Sequence, residues 1–374
     1  MPHNKTRKKR AHSTSVRRNK GTVRAKRNSS LRRISTTKLG QGAFGVVQRP
    51  PAPCKVYEGD DIFDIVYDFD EGVNNIYKRY ANDANINAKI RKLEAKYKRE
   101  GKEKSLGHLK PYLTYLKYFA NNSYISKLTE YEKARHEFMV GRYISSIIPS
   151  WRDYYCLVEY ICGANKEATN NDPSDSLAIM EYCGVSLEKL MSAEPGIKID
   201  KDTWWYILDS LKTTFAGLSL LHDNYIYHND IHAGNVVINL GADVNKNTEP
   251  YSLYKTLLID FGQTVVLTED DDERGNTKQV LYNTIDDLHN FIVKVIKPIL
   301  VFIIRKGMFG TRGNNRNDDS VYMMMRKGII GLIEHIDKIP EPYKTSSLKQ
   351  LEFMKQKYYK VFDEYVVIVP SYSQ

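Results

Sequence analysis

Residues 228 to 235 read His-Asn-Asp-Ile-His-Ala-Gly-Asn, which sets an aspartate, Asp230, five residues ahead of an asparagine, Asn235. This polar stretch follows an apolar pattern of helical period over 203 to 223, in which Trp204, Ile207, Leu211, Leu218 and Leu221 recur at core-facing spacing. It precedes the β-branched run Val236-Val237-Ile238. A buried helix, a short loop and a strand must therefore follow one another here. A second apolar strand, Leu258-Ile259, runs into Asp260-Phe261-Gly262, 25 residues after Asn235.

Upstream, Gly40-Gln41-Gly42-Ala43-Phe44-Gly45-Val46-Val47 fits the pattern G-x-G-x-x-G-x-V. Glycines at that spacing let backbone amides approach phosphate oxygens, because no side chain intervenes. The glycine loop, the Asp230 to Asn235 spacing and the Asp-Phe-Gly triplet, in this order, resemble the protein kinase superfamily, with Asn229 where that family has arginine. The likeness covers about 40 to 47 and 124 to 300. It implies an α+β, bilobal fold: a small β-rich N-lobe over 36–182 with a helical insertion at about 55–122, and a larger α-helical C-lobe over 183–374. It also implies transfer of the γ-phosphoryl group of Mg-ATP to serine or threonine hydroxyls of proteins.

The resemblance carries roles onto particular residues. Asp230 would orient the attacking hydroxyl, Asn235 and Asp260 would hold Mg2+, and Gly40, Gly42 and Gly45, with Val47 alongside, would cover the nucleotide. The strand Tyr124-Ile125-Ser126-Lys127-Leu128 matches the family's lysine-bearing strand, so Lys127 is expected to grip the phosphates; Lys55, closer to the glycine loop, is the rival. A helix over about 129 to 146 should supply the partner carboxylate. Glu137 fits the apolar pattern there best, with Glu130 and Glu132 as alternatives. Leu177 to Gly184 resembles the strand and hinge joining the lobes, which places Met180 behind the adenine and the backbone of Glu181 and Cys183 against its edge. Asp286-Asp287-Leu288 is expected to open a helix, and Asp287 resembles the buried aspartate that braces the loop of Asp230. His228 reads as a packing residue.

The stretch after the glycine loop, Pro50-Pro51-Ala52-Pro53 with Cys54, and the late Ile-Ser-Lys strand resemble protein kinases encoded by large DNA viruses, which would place the chain in a virion or an infected cell's cytoplasm. Two features depart from the family. His232 stands where serine/threonine kinases carry a lysine that touches the transferred phosphate, as in aminoglycoside phosphotransferases. No Ala-Pro-Glu occurs between Asp260 and Asp287. A small-molecule phosphotransferase with the same ATP site, or a kinase fold used as a binding scaffold, are therefore the alternatives to a protein kinase.

Charge is unevenly placed. The net charge is +11, but residues 1 to 38 hold 14 Lys and Arg and no acid, leaving 42 basic against 45 acidic residues elsewhere. Residues 1 to 35, nearly without large apolar side chains, read as a disordered tail that could bind nucleic acid or an acidic partner, or serve as a nuclear address. Arg32-Arg33-Ile34-Ser35 within it is a candidate for self-modification. In the insertion, 58 to 71 hold seven acids and no base, whereas 73 to 120 hold twelve bases and four acids. The four cysteines, at 54, 156, 162 and 183, form no C-x-x-C pair, so neither a disulfide framework nor a zinc site is expected and a reducing, intracellular setting follows. The most apolar stretch, Phe291 to Ile304, carries Lys294 and Lys297 and reads as a buried helix, not a membrane span. Further helical patterns, such as Leu348, Leu351, Met354 and Tyr358, follow over 320 to 369.

Overall fold

The computed structural model describes residues 37–42, 45–49, 51–52, scattered positions from 88 to 101, 124–163, 175–192, 199, 201–239, 255–268, 276–308 and 316–369. The basic tail with Ser35, the rival Lys55 and most of the insertion lie outside the described residues. Those of the insertion that are described, Arg91 and Lys92 among them, are helical and exposed.

The architecture is mixed α+β: antiparallel sheets in the N-terminal part, then a mostly helical C-terminal region. Strands β1 (Thr37–Gly42), β2 (Gly45–Arg49), β3 (Tyr124–Glu130), β4 (Val158–Gly163) and β5 (Asp175–Glu181) form one sheet in the order β1-β2-β3-β5-β4. The register sets Lys127 opposite Val47 on one side and Ala178 on the other, with Ile125 opposite Met180. Helix α1 (Tyr131–Ile147) follows β3 directly and lays Ala134, Glu137, Phe138, Val140, Gly141 and Ile144 into the interior. Those positions recur at three- and four-residue intervals, the signature of one buried helix face. Phe138 and Ala134 meet Val158, Ile161, Ala178 and Met180 of the sheet.

After β5 the chain passes through β6 (Val185–Ser186), α2 (Leu187–Met191) and the long α3 (Lys201–His222). Trp204, Ile207, Leu211, Leu218 and Leu221 are all buried on α3, as their spacing requires. Strands β7 (Ile226–Tyr227), β8 (Val236–Ile238), β9 (Thr256–Leu258) and β10 (Val265–Val266) are short; β6, β8 and β9 pair as one ribbon and β7 with β10 as another. The remainder is helical: α4 (Thr277–Asn290), a π-helical turn (Phe291–Ile296), α5 (Lys297–Arg305), α6 (Arg316–Ile336) and α7 (Leu348–Ile368). Phe291, Ile292, Val295, Ile299, Leu300 and Ile303 are buried, so the apolar stretch is core. No helix among the described residues is long and apolar enough to cross a membrane.

Two boundaries differ from the sequence expectation. Asp286 does not open a helix; α4 begins at Thr277, because Ile285 and Leu288, with half-buried Leu281, extend its core-facing stripe upstream of the acids. On α7, Leu351, Met354 and Tyr358 are buried, but Leu348 is exposed at the first helical position. There the chain is set by a capping box instead: the Ser347 hydroxyl accepts from the Gln350 amide while the Gln350 side chain accepts from the Ser347 amide.

Candidate active site

Between the five-stranded sheet and the helical region lies a cavity of about 480 Å³. Leu39, Val47, Ile125, Met180, Val237 and Ile259 give it apolar walls, and Lys127, Glu137, Asp230, His232, Asn235 and Asp260 converge on it. Hydrophobic walls with a few placed polar groups are the usual form of a small-molecule site. Glu181 and Cys183 line its edge. Gly40, Gly42 and Gly45 belong to the β1–β2 hairpin, where Gly42 faces Gly45 and Gly40 faces Val47. From that hairpin Leu39 and Val47 line the cavity.

Lys127 is the centre of the charge arrangement. Its ammonium lies 3.1 Å from Glu137 Oε2 and 2.6 Å from Asp260 Oδ1, so one buried cation bridges a helix of the sheet layer and the strand end after β9. Burial alone would lower the Lys127 ammonium, but the carboxylates of Glu137 and Asp260 outweigh it and raise its pKa. Glu137 is 3 % exposed. Burial raises its carboxyl above the usual range, and Lys127 pulls it back. Glu130 and Glu132 have side chains 68 % and 78 % exposed, which leaves Glu137 as the partner of Lys127.

Asp260 adopts φ 62° and ψ 71°, a left-handed conformation that aspartate tolerates better than most residues. Phe261 next to it is buried; its ring sits 4.9 Å from that of His228 and 5.8 Å from that of Tyr155, edge-on to the latter. His228 also places Nε2 3.0 Å from the Ile259 carbonyl, which confirms a packing and bracing place for it.

Opposite, the loop of Asp230 is held from beneath. Asp287, fully buried, accepts from the amides of His228 and Asn229, both at 2.8 Å, and lies 3.1 Å from His222 Nε2. Asn229 takes φ 60°, where asparagine is among the few residues at ease. Asn235 donates through Nδ2 to the Asp230 carbonyl at 2.8 Å and to Asp230 Oδ2 at 3.2 Å. That pairing fixes the amide so that Oδ1 is the atom left for a cation. Asn235 and Asp260, which both line the cavity, are the residues whose hard oxygens, one amide and one carboxylate, could hold a small divalent ion. His232 accepts the Gly234 amide on Nδ1 at 3.0 Å, so its neutral form carries the proton on Nε2, 3.9 Å from Asp230 Oδ1.

The cysteine expectation is overturned. Cys156 and Cys183 form a disulfide, and Cys162 is disulfide-bonded too. Cys156 and Cys183 are 27 residues apart and their Cα atoms come within 6.3 Å only because the segment before β4 folds against the hinge after β5; no sequence spacing could show that. Tyr155 and His222 also escaped the sequence reading, one as an ordinary strand aromatic, the other as the last residue of an amphipathic helix. No protein-family model matches this chain. No curated protein matches it either.

Proposed function

We propose that the chain is an ATP-dependent phosphotransferase of the protein kinase type, acting on hydroxyl groups of proteins. The observation that carries the reading is the Lys127 ammonium bridging Glu137 and Asp260 on the wall of a cavity whose opposite wall presents Asp230 hydrogen-bonded to Asn235. A metal site or a structural ion pair needs none of the rest. The sheet order β1-β2-β3-β5-β4 with α1 after β3 agrees with the bilobal fold that the motifs imply.

On this reading the adenine lies among Leu39, Val47, Met180 and Val237, with hinge backbone at Glu181 and Cys183 along its edge. Lys127 holds phosphate oxygens, and Asn235 with Asp260 would bind Mg2+, which supplies neutralisation of the charge that develops on the leaving phosphate. Asp230 accepts the proton of the acceptor hydroxyl as its oxygen bonds to the γ-phosphorus; the bond to the β-phosphate oxygen breaks and that oxygen keeps the electron pair. His232 Nε2–H, on the cavity wall, would donate to the transferred group. Because this chemistry rests on positioning and charge, loss of one such group costs orders of magnitude.

The test is phosphate incorporation from labelled ATP and magnesium into basic and acidic proteins and into the enzyme itself, for wild type and Asp230→Ala. Transfer by wild type and none by the variant, with nucleotide binding kept in both, is the expected result. Equal transfer by both would sink the assignment. A second reading, a small-molecule acceptor, is favoured by one feature: α4 starts at Thr277, soon after Phe261, which leaves little chain for a peptide platform. Nucleotide binding with no transfer to any protein would move the reading there.

A further inference from the structure

We propose that the Cys156–Cys183 disulfide is a redox-sensitive site that sets the affinity of the cavity for a nucleotide, an inference that rests on the phosphotransfer reading above. Both cysteines line the cavity, Cys156 buried and Cys183 in the partly exposed hinge between β5 and β6. The bond joins that hinge to a segment which is itself tied to β9: the Cys156 amide donates to the Leu258 carbonyl and the Leu258 amide to the Tyr154 carbonyl, both at 2.9 Å. Leu258 stands two residues before Asp260. One covalent link, continued by two backbone hydrogen bonds, therefore connects the edge that would read an adenine to the strand that leads into Asp260.

The sulfur chemistry gives the direction. Cys156 Sγ lies 3.2 Å from the Glu181 carbonyl oxygen. In the disulfide that sulfur has no hydrogen, so the approach is a contact and makes no claim on the carbonyl. A dithiol reductant attacks the more accessible Cys183 sulfur, the S–S bond breaks, and the reductant's second thiol displaces the mixed disulfide. The reductant leaves as a cyclic disulfide, and its two protons end on Cys156 and Cys183 as thiols. The Cys156 S–H then becomes a donor aimed at the carbonyl that an adenine amino group would use, and the hinge loses its tether. A lost hydrogen bond and a less preorganised edge together weaken binding about tenfold. By reciprocity, bound nucleotide opposes reduction to the same degree.

The experiment uses the full chain, isolated oxidised, with the Cys156–Cys183 link verified by non-reducing peptide mass spectrometry. The dissociation constant of a fluorescent ATP analogue with magnesium is measured before and after dithiothreitol, with released thiols counted, and again after reoxidation. Expected is about tenfold weaker binding on reduction, restored on reoxidation, and slower thiol release when nucleotide is present. A Cys156→Ser, Cys183→Ser double variant should no longer respond to dithiothreitol. Unchanged affinity in fully reduced wild type overturns the proposal, and that comparison needs no variant to fold. A response that persists in the double variant assigns the effect to the disulfide of Cys162 and overturns it too. Absence of binding by the oxidised chain would instead remove the phosphotransfer reading, and this inference with it.

Discussion

Replacing Lys127 by methionine should leave a pH signature that reports on the charge arrangement itself. The ammonium is the cation that Glu137 and Asp260 share, and Glu137 is 3 % exposed. Without it, Glu137 must either stay ionised in an apolar interior or take up a proton. The second is the cheaper course. Holding that proton at pH 7 costs about 1.4 kcal/mol for each unit of pH above the ordinary carboxyl value of 4.5, an upper limit of about 3.5 kcal/mol however far the folded value rises. The sign follows from the raised carboxyl: stability is complete below 4.5 and is lost as pH rises, because the folded chain keeps a proton that the unfolded chain releases. Asp260, with a side chain 20 % exposed, has water to replace the lysine and adds less. Urea unfolding of wild type and Lys127→Met should therefore differ by about 2 to 3 kcal/mol at pH 7 and by less than about 1 kcal/mol at pH 5. Adding Glu137→Gln to Lys127→Met should restore stability at pH 7 while phosphate transfer stays absent. An equal loss at both pH values, or no rescue by the glutamine, would refute the reasoning.

Gly184 has φ 122°, and a Cβ there would sit 2.0 Å from the Ile238 carbonyl oxygen, backbone against backbone. Gly184→Ala should cost at least about 3 kcal/mol and lower Tm by several degrees; an unchanged Tm would contradict the close approach of hinge and β8. Asp287→Asn exchanges one of the carboxylate oxygens that serve His228, Asn229 and His222 for an amide donor, at a cost of about 2 to 3 kcal/mol. Chemical denaturation should show that loss, and kcat for phosphate transfer should fall with it; a normal kcat would mean that Asp287 does not set the position of Asp230.

What the sequence made legible was what short range determines. Asp230 and Asn235 sit at the two ends of one loop, so their mutual hydrogen bond is written in their spacing, and Asp260 is delivered by a strand whose apolar run is plain. Lys127 and Glu137 belong to adjacent elements, and the helix face that buries Phe138 and Ile144 buries Glu137 as well. Contacts made only by tertiary closure were not legible. Cys156 and Cys183 come together through the sheet register. Tyr155, which places its ring on Phe261 and its hydroxyl on the Gly217 carbonyl, looks in sequence like any strand aromatic. Asp287 was read as a brace, but not the third partner, His222, since the end of α3 reaches it only when α4 is packed in place. The start of α4 was misjudged because Thr277 to Thr284 carry few apolar residues and no strong cap, and packing against α7 makes the helix.

The carboxylate of Asp287 also decides which wall of the cavity can move. It binds the loop of Asp230 to α4, whose Ile285 and Leu288 are fully buried in the main core, so that loop and core travel as one body. The opposite wall is a sheet joined to this body by the hinge after β5, by the Lys127–Asp260 contact, by the backbone hydrogen bonds between the segment before β4 and Leu258, by His136 against the Thr264 carbonyl and by Lys189 donating to the Leu39 carbonyl. Any opening that admits or releases a ligand, in the microsecond to millisecond range of such motions, has to accommodate all of these links, the ion pair among them. The loop of Asp230 and the core beneath it thus form the fixed side of the cavity.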